Sequence, residues 1–483
     1  KQKTMLEIKI IISNIKINIK EILFFYFRFS RIIFKNMKNK LSVIVLSAGK
    51  GTRMKSNISK PLHKIGNLEM IKHIINSINA LEAEEISVVV STDNKDEIEK
   101  NANSNKVKTI IQHDRKGTGD AVKIGLKNIQ NKGNLILITM GDTPLIKKET
   151  YGSMLDKMDE DFAITVLGFY TKNISNRYGR LVLNNNQELE KIIEFKDATE
   201  QERKNNLCNA GIYLVKGDLL EQFLDKVENN NASREYYLTD IIEIAKKQGF
   251  KINYSLAEEE EVMGVNSRSE LAVAENIFQN NKRKYFMDKG VTLIDPNSVY
   301  FSYDTEIEED VVIEPNVVFL PGVKIHNNVT VKSFSYLEGC VIKENAVIGP
   351  FARIRPESII EKNAKIGNFC EIKKSIVDEN TKINHLSYIG NASVGKNTNV
   401  GAGTITCNYD GYNKFKTKIG ENSFIGSNTT IVAPIEIGDN VLIGAGSVIT
   451  KNIENNAMAI TRIEQKDIKD GMIKYREKKE VNN

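Results

Sequence analysis

Ile437-Gly438-Asp439-Asn440-Val441-Leu442-Ile443-Gly444-Ala445-Gly446-Ser447-Val448-Ile449 decides the fold of the C-terminal half. An aliphatic residue returns at every sixth position. The same spacing runs through Ile307, Ile313, Phe319, Ile325, Val331 and Leu337, then Ile342, Ile348, Ile354, Ile360, Ile366 and Ile372, then Ile419, Ile425, Ile431, Ile437, Ile443 and Ile449. All eighteen positions are apolar in a chain that is 41% hydrophobic overall, which sets the pattern apart from background composition. A period of six matches neither an α-helix nor a single alternating strand. It matches a parallel β-helix of hexapeptides with one inward residue per hexad. Small residues after the row, as in Ile366-Gly367 and Ile425-Gly426, are expected to let the chain turn a corner without a Cβ clash.

Outward from that column, the repeat is expected to begin near residue 291 and to end near 455, with a loose charged tail beyond. The register breaks between Thr406 and Lys418. An insertion in a solenoid must loop outward, and such loops usually line the binding face. Residues 267–289 are polar and helix-prone, a connecting helix. The domain boundaries expected are therefore a leader at 1–36, an α/β domain at 37–266, a linker helix at 267–290 and the β-helix with its tail at 291–483.

The α/β domain is recognised by alternation. Leu41–Leu46, Ile86–Val90 and Leu135–Thr139 read as buried strands, and 69–81 and 118–130 as helices. Strands alternating with helices predict a mostly parallel sheet covered on both faces, with ligands at the carboxyl ends of the strands. The segments 47–54 and 140–144 fall at those ends.

At 483 residues the chain has room for two to four domains. Four cysteines without a CxxC pair or metal spacing fit free thiols in a reducing compartment, so a cytoplasmic location is expected. The net charge of +6 comes from residues 1–36, with eight Lys/Arg against two Glu; the remainder carries 60 of each sign. That balance predicts no nucleic-acid partner and no membrane-surface partner. The leader has no apolar run long enough to span a bilayer and no cleavage-site pattern, and Met37 is the expected natural start.

Ser47-Ala48-Gly49-Lys50-Gly51-Thr52-Arg53-Met54 directly follows a buried strand. It is neither GxGxxG nor a P-loop, but a glycine loop there can aim backbone N–H groups at phosphate oxygens. Lys50, Arg53 and Lys60 add cations suited to a triphosphate and its pyrophosphate leaving group.

Together with Lys60-Pro61-Leu62-His63, this loop resembles the signature of sugar nucleotidyltransferases. Gln112, Gly117-Thr118-Gly119-Asp120, Met140-Gly141-Asp142, Tyr178-Gly179-Arg180, Glu194, Asn209-Ala210-Gly211, Glu235–Asp240 and Gly264-Val265-Asn266 fit the same pattern. Joined to the hexapeptide half, residues 41–465 resemble the bacterial bifunctional enzymes that are both N-acetylglucosamine-1-phosphate uridylyltransferases and glucosamine-1-phosphate N-acetyltransferases. The resemblance implies an α/β Rossmann-like nucleotidyltransferase domain followed by a left-handed parallel β-helix of hexapeptide repeats. It implies Mg²⁺ held by Asp142 and Asn266, and Arg53 and Lys60 as catalytic cations. Leu46, Ser47, Gly49, Lys60, Gln112, Gly117, Thr118, Gly179, Glu194, Asn209 and Asn266 would contact UTP or the nucleotide sugar. Ser47 stands where the family commonly has alanine, and Met140 where it commonly has tyrosine.

For the second half the resemblance implies His385 as the base that deprotonates the amine of glucosamine-1-phosphate as it attacks acetyl-CoA. A histidine near neutral pH suits that work. Arg355, Lys373, Tyr388 and Asn399 would bind the sugar phosphate. Ala402, Asn408, Tyr409, Lys414, Ser427, Ala445 and Arg462 would contact acetyl-CoA. Direct transfer is preferred to an acyl-Cys407 intermediate. A homotrimer, and products feeding peptidoglycan and lipopolysaccharide precursors, complete what the resemblance implies.

Overall fold

The computed structural model describes residues 40–480 except 103, 104, 133, 134 and 232. The expectations for 1–36 and for a start at Met37 lie outside the described residues. The chain forms two compact units, residues 40–64 with 69–274 and residues 65–68 with 275–480. The division falls inside a helix, Arg268–Asp288.

The first unit is built on one nine-stranded sheet. Its strands are β1 (Leu41–Leu46), β2 (Glu85–Val90), β3 (Val107–Ile111), β4 (Leu135–Met140), β5 (Phe162–Tyr170), β6 (Arg180–Leu183), β7 (Leu189–Ile193), β8 (Leu207–Lys216) and β9 (Lys251–Ala257). The order is β9-β5-β8-β4-β1-β2-β3, with β6 joining β8 to β7. Strands β3, β2, β1 and β4 are parallel, as the alternating pattern predicts. Beyond them the sheet departs from the expectation, because β8 runs antiparallel to both β4 and β5. Strand β8 is one nearly continuous buried run, and such a run carries no signal of direction. Both faces of the sheet are covered: Val43 and Val45 of β1 pack into one cluster with Ile71 and Ile75, and Ile44 into another with Val122. Helix Met70–Asn79 lies within the predicted span, whereas the predicted helix at 118–130 is a helix over Thr118–Gly125 followed by a tight turn.

The second unit is the left-handed parallel β-helix. Its short strands stack into three sheets of ten, eight and eight. All eighteen row residues named from the sequence are buried in one continuous core. The core also contains rungs that a strict period of six misses: Val377, Ile383, Ile389, Val394 and Val400. Coils are not all of one length. Ile325 pairs with Ile342 and Ile342 with Ile360, so one coil has 17 residues and the next 18. Each short coil shifts the row by one.

The corner geometry also departs from expectation. Gly367 and Gly426 do not have left-handed backbones. A Cβ on Gly367 would lie 1.9 Å from the carbonyl oxygen of Asn384, and one on Gly426 2.5 Å from the nitrogen of Ala445. These glycines let neighbouring coils approach. Left-handed backbone occurs at other positions, many of them asparagines such as Asn345, Asn363, Asn380, Asn397, Asn422, Asn440 and Asn456, with Phe334, Phe351, Phe369 and a few glycines among the rest. The asparagines also bond along the column, with Asn380 Nδ2 to Asn397 Oδ1 at 3.2 Å and Asn397 Nδ2 to Asn422 Oδ1 at 3.0 Å. Within the tail, Gly471–Glu480 forms a solvent-exposed helix with Lys474 N bonded to Asp470 O.

The corner analysis predicts that Asn397→Ala destabilises the β-helix by about 1–3 kcal/mol, from left-handed strain plus lost hydrogen bonds. Asn397→Gly relieves the strain and loses only the bonds, so it costs less. Comparative thermal unfolding of the two variants checks the order.

Candidate active sites

Strand β1 ends where it can serve a ligand. Ser47 N donates to Val89 O at 2.8 Å and Gly141 N to Leu46 O at 2.8 Å, so the ends of β1, β2 and β4 are drawn together. The glycine loop leaves at Gly51 with φ of 60° and closes into the turn Thr52–Met54. Met54 is its buried anchor, while Arg53 is exposed. A cavity of about 260 Å³ opens here, lined by Leu46, Ser47, Gly49, Lys60, Gln112, Gly117, Thr118, Met140 and Asp142.

Gln112 is buried in that wall, its amide donating to Asp120 Oδ2 at 2.8 Å and to Gly117 O at 3.3 Å. Gly117 has φ of 117°, and a Cβ there would strike Tyr236 O at 2.5 Å, so only glycine fits. Thr118 Oγ1 accepts from Leu238 N at 3.0 Å. Ser47 is 4% exposed, and its hydroxyl has no hydrogen-bond partner among the described residues.

Lys60, Asp142 and Asn266 converge although they are far apart in the chain. The Lys60 ammonium lies 2.5 Å from Asp142 Oδ2 and 3.1 Å from Asn266 Oδ1. Backbone bonding holds the acceptors together: Val265 N donates to Asp142 O at 2.8 Å, and Asn266 N to Glu270 Oε2 at 2.7 Å. Gly179, Glu194 and Asn209 do not line that cavity; Asn209 N donates to Gly179 O at 2.9 Å, and Asn209 Nδ2 to the Tyr213 hydroxyl at 2.8 Å. Glu194 accepts from Thr239 Oγ1 at 3.4 Å; burial, opposed by that bond, pushes its carboxyl above the usual range. Asp240 is pushed up to about 6 by burial first, with Glu243 and Asp197 adding.

In the β-helix, His385 ends strand Lys382–His385 and is exposed beside a groove. Its Nδ1 lies 2.8 Å from Asn368 Oδ1, which can only accept, so Nδ1 carries the proton and Nε2 is left as the basic nitrogen. The coil register pairs Asn368 with His385 and Lys382 with Asn399, which carries the line on to Ala402. Ala402 O accepts from Asn428 N, Ser427 O from Gly446 N, and Ala445 O from Arg462 Nη1 at 3.2 Å. Ala402, Ser427, Ala445 and Arg462 therefore follow His385 coil by coil along one corner.

Arg355 bonds Glu371 Oε1 at 2.7 Å. Lys373 is held below the usual ammonium range mainly by Arg355, then by burial and by Lys414, which stands against it. Tyr388 lies on the same sheet as Glu371–Lys373. Asn399 does not: it belongs to the sheet of Lys382 and Phe424, so one chain does not bring it to the Arg355–Lys373 cluster. Asn408 is buried in the insertion, donating to Asn391 Oδ1 at 2.8 Å, while Tyr409 is exposed.

Three contributors escaped the sequence reading, and a fourth, His63, entered it only as the end of the Lys60–His63 signature. Arg115 Nε donates to Ala48 O at 2.8 Å, and only its nearness to Gly117 hinted at this. Glu371 neutralises Arg355 and sits two residues from Lys373, a spacing that could have suggested it. His63 and Arg268 pair across 205 residues, at 3.2 Å between Arg268 Nη1 and His63 Nδ1, with no local signal. Burial, then the Arg268 charge, pushes the His63 imidazole below its ordinary range.

Comparison with known proteins places both halves. Residues 42–287 match the nucleotidyl transferase family, and residues 304–339 and 416–451 the bacterial transferase hexapeptide (six repeats). Residues 336–409 match the GMPPB C-terminal domain. The chain is 44% identical over 440 residues to the bifunctional protein GlmU of Paramagnetospirillum magneticum, covering 91% of this chain and 97% of that one. It is 45% identical over 442 residues to the GlmU of Bartonella bacilliformis, covering 91% and 98%. Among the described residues no helix is long and apolar enough to cross a membrane. The chain belongs to the family of bifunctional GlmU proteins, transferases that join uridylyl transfer to acetyl transfer in UDP-N-acetylglucosamine synthesis.

Proposed function

We propose that uridylyl transfer takes place at Lys60, Asp142 and Asn266, in a region spanning 37–266, and acetyl transfer at His385, in a region spanning 291–483, with 267–290 between them. The observation that carries the first assignment is the convergence of the Asp142 and Asn266 oxygens on one cationic group. Two hard oxygen donors fit Mg²⁺, which keeps most of its shell for phosphate and water. Bound Mg²⁺ would neutralise phosphate charge and orient the triphosphate. The protein's own part is positioning. Gln112, Gly117 and Thr118 face the base, with Leu46, Ser47 and Gly49 below the nucleotide, and Gly179, Glu194 and Asn209 hold the sugar. A phosphate oxygen of N-acetylglucosamine-1-phosphate attacks the α-phosphorus of UTP, and the bond to pyrophosphate breaks. Arg53 and Lys60 stabilise the departing charge.

In acetyl transfer, His385 Nε2 takes a proton from the amine of glucosamine-1-phosphate as nitrogen attacks the thioester carbonyl of acetyl-CoA and the thiol leaves. Arg355 and Lys373 bind the sugar phosphate. The place of Lys414 against Lys373 favours phosphate over thioester for this residue. Asn408, Tyr409 and the corner line of Ala402, Ser427, Ala445 and Arg462 accept acetyl-CoA. The separation of Asn399 from the Arg355 cluster favours a homotrimer in which a neighbouring copy completes the sugar site. The location is cytoplasmic, and the product enters peptidoglycan and lipopolysaccharide precursors.

Two assays on one preparation test the assignment: pyrophosphate release from UTP with N-acetylglucosamine-1-phosphate, and thiol release from acetyl-CoA with glucosamine-1-phosphate. Asp142→Ala is expected to lower the first by about a hundredfold and leave the second. His385→Ala is expected to lower only the second, by about a hundredfold or more. Loss of both activities in either variant counts against separate sites. Ser47→Ala removes a buried hydroxyl without a partner. It is expected to retain uridylyl transfer and to keep or raise stability by up to about 1 kcal/mol, read from its melting temperature.

A further inference from the structure

His63 lies three residues after Lys60, at the end of the tight turn Lys60–Leu62, which has Pro61 inside it and His63 N bonded to Lys60 O. A displacement of His63 is therefore a displacement of Lys60. Arg268 lies two residues after Asn266 and opens the helix Arg268–Asp288, whose first turn also supplies the Glu270 carboxylate that holds Asn266 N. The guanidinium can only donate, so His63 Nδ1 accepts and the imidazole is the neutral form protonated at Nε2. That Nε2 is buried, and the backbone of Ile58, in the loop just before Lys60, is its hydrogen-bonding neighbour. The imidazole is thus held from both sides, by that loop and by Arg268.

We propose that His63 and Arg268 form a positioning clasp for uridylyl transfer, tying the turn that carries Lys60 to the segment that carries Asn266. The clasp rests on the roles proposed above for Lys60, Asp142 and Asn266. It sets the separation of two groups that must meet around the triphosphate, where a shift of about 1 Å is enough to slow reaction severely. His63 touches no reacting atom. It acts through Lys60.

The test uses the full chain with His63→Leu, Arg268→Met, the double variant and His63→Asn, whose side-chain oxygen can replace the Nδ1 acceptor. Each of the first two is expected to lower kcat for pyrophosphate release on the order of tenfold while KM for UTP changes by less than about twofold. The double variant should be no slower than the slower single, and His63→Asn should recover most of the rate. Acetyl transfer by the same preparations should be unchanged, which separates misplacement from misfolding. Wild-type kcat in His63→Leu, losses that multiply in the double variant, or parallel loss of both reactions with a lowered melting temperature would each overturn the clasp. Asp142→Ala assayed alongside distinguishes the two levels. If it stays active, the site assignment fails; if it is inactive while His63→Leu is not, only the clasp fails.

Discussion

Burial of one branched residue per hexad is the constraint on which the acetyl-transfer half depends. A side chain such as Ile383 or Ile389 can point inward only if its neighbours point to solvent or into a corner. Burying the whole row fixes the register of every coil against the next, because a slip by one residue would expose the entire row. The functional geometry follows from that register. His385 falls above Asn368, and Ala402 falls one coil beyond His385, because Ile383 is held between Ile366 and Val400. The chemistry at the corner is thus set by packing inside the column.

The nucleotidyl half solves a different problem. Its ligand groups come from turns and strand ends, where packing alone gives less precision. The structure compensates with paired restraints: Gly141 N on Leu46 O, Val265 N on Asp142 O, and Glu270 on Asn266 N. Each restraint uses a backbone group that would otherwise lack a partner at a strand end. The ammonium of Lys60 then joins two oxygens supplied by segments 124 residues apart (266 − 142). In the β-helix like charges are instead kept near one another, with Arg355, Lys373 and Lys414 only partly neutralised by Glu371, an arrangement that suits the sugar phosphate proposed to bind there.

Much of this was legible in the chain. The eighteen inward positions could be read directly, because core residues in a solenoid obey one spacing. The rungs from Val377 to Val400 were hidden because short coils shift the row, turning a spacing of six into five at Ile372–Val377 and Ile389–Val394. The parallel strands β1, β2 and β4 were legible as buried runs, whereas the antiparallel β8 was not, since direction leaves no trace in composition. The site residues were named through family resemblance. Periodicity alone does not separate Asn399 from Arg355, and only the sheet assignment shows that they lie on different faces. Pairings across long sequence separations, as between His63 and Arg268, have no one-dimensional signature at all.

The insertion after Thr406 shows how a rigid repeat gains a variable part. Val394 pairs with Ile419, a step of 25 residues that Val400–Ile425 and Thr406–Ile431 share, yet Ile419 and Ile437 return to a step of 18 at once. The extra residues leave between Cys407 and Thr417 without disturbing the row, because both flanking strands remain paired to the coils on either side. Asn408 pins the base of the loop to Asn391, and a bridge between Tyr409 and Lys414 closes it. The loop brings Lys414 against Lys373. A solenoid without the insertion could align small residues along a corner, but it would lack the third cation that the loop sets beside Arg355 and Lys373 of one sheet.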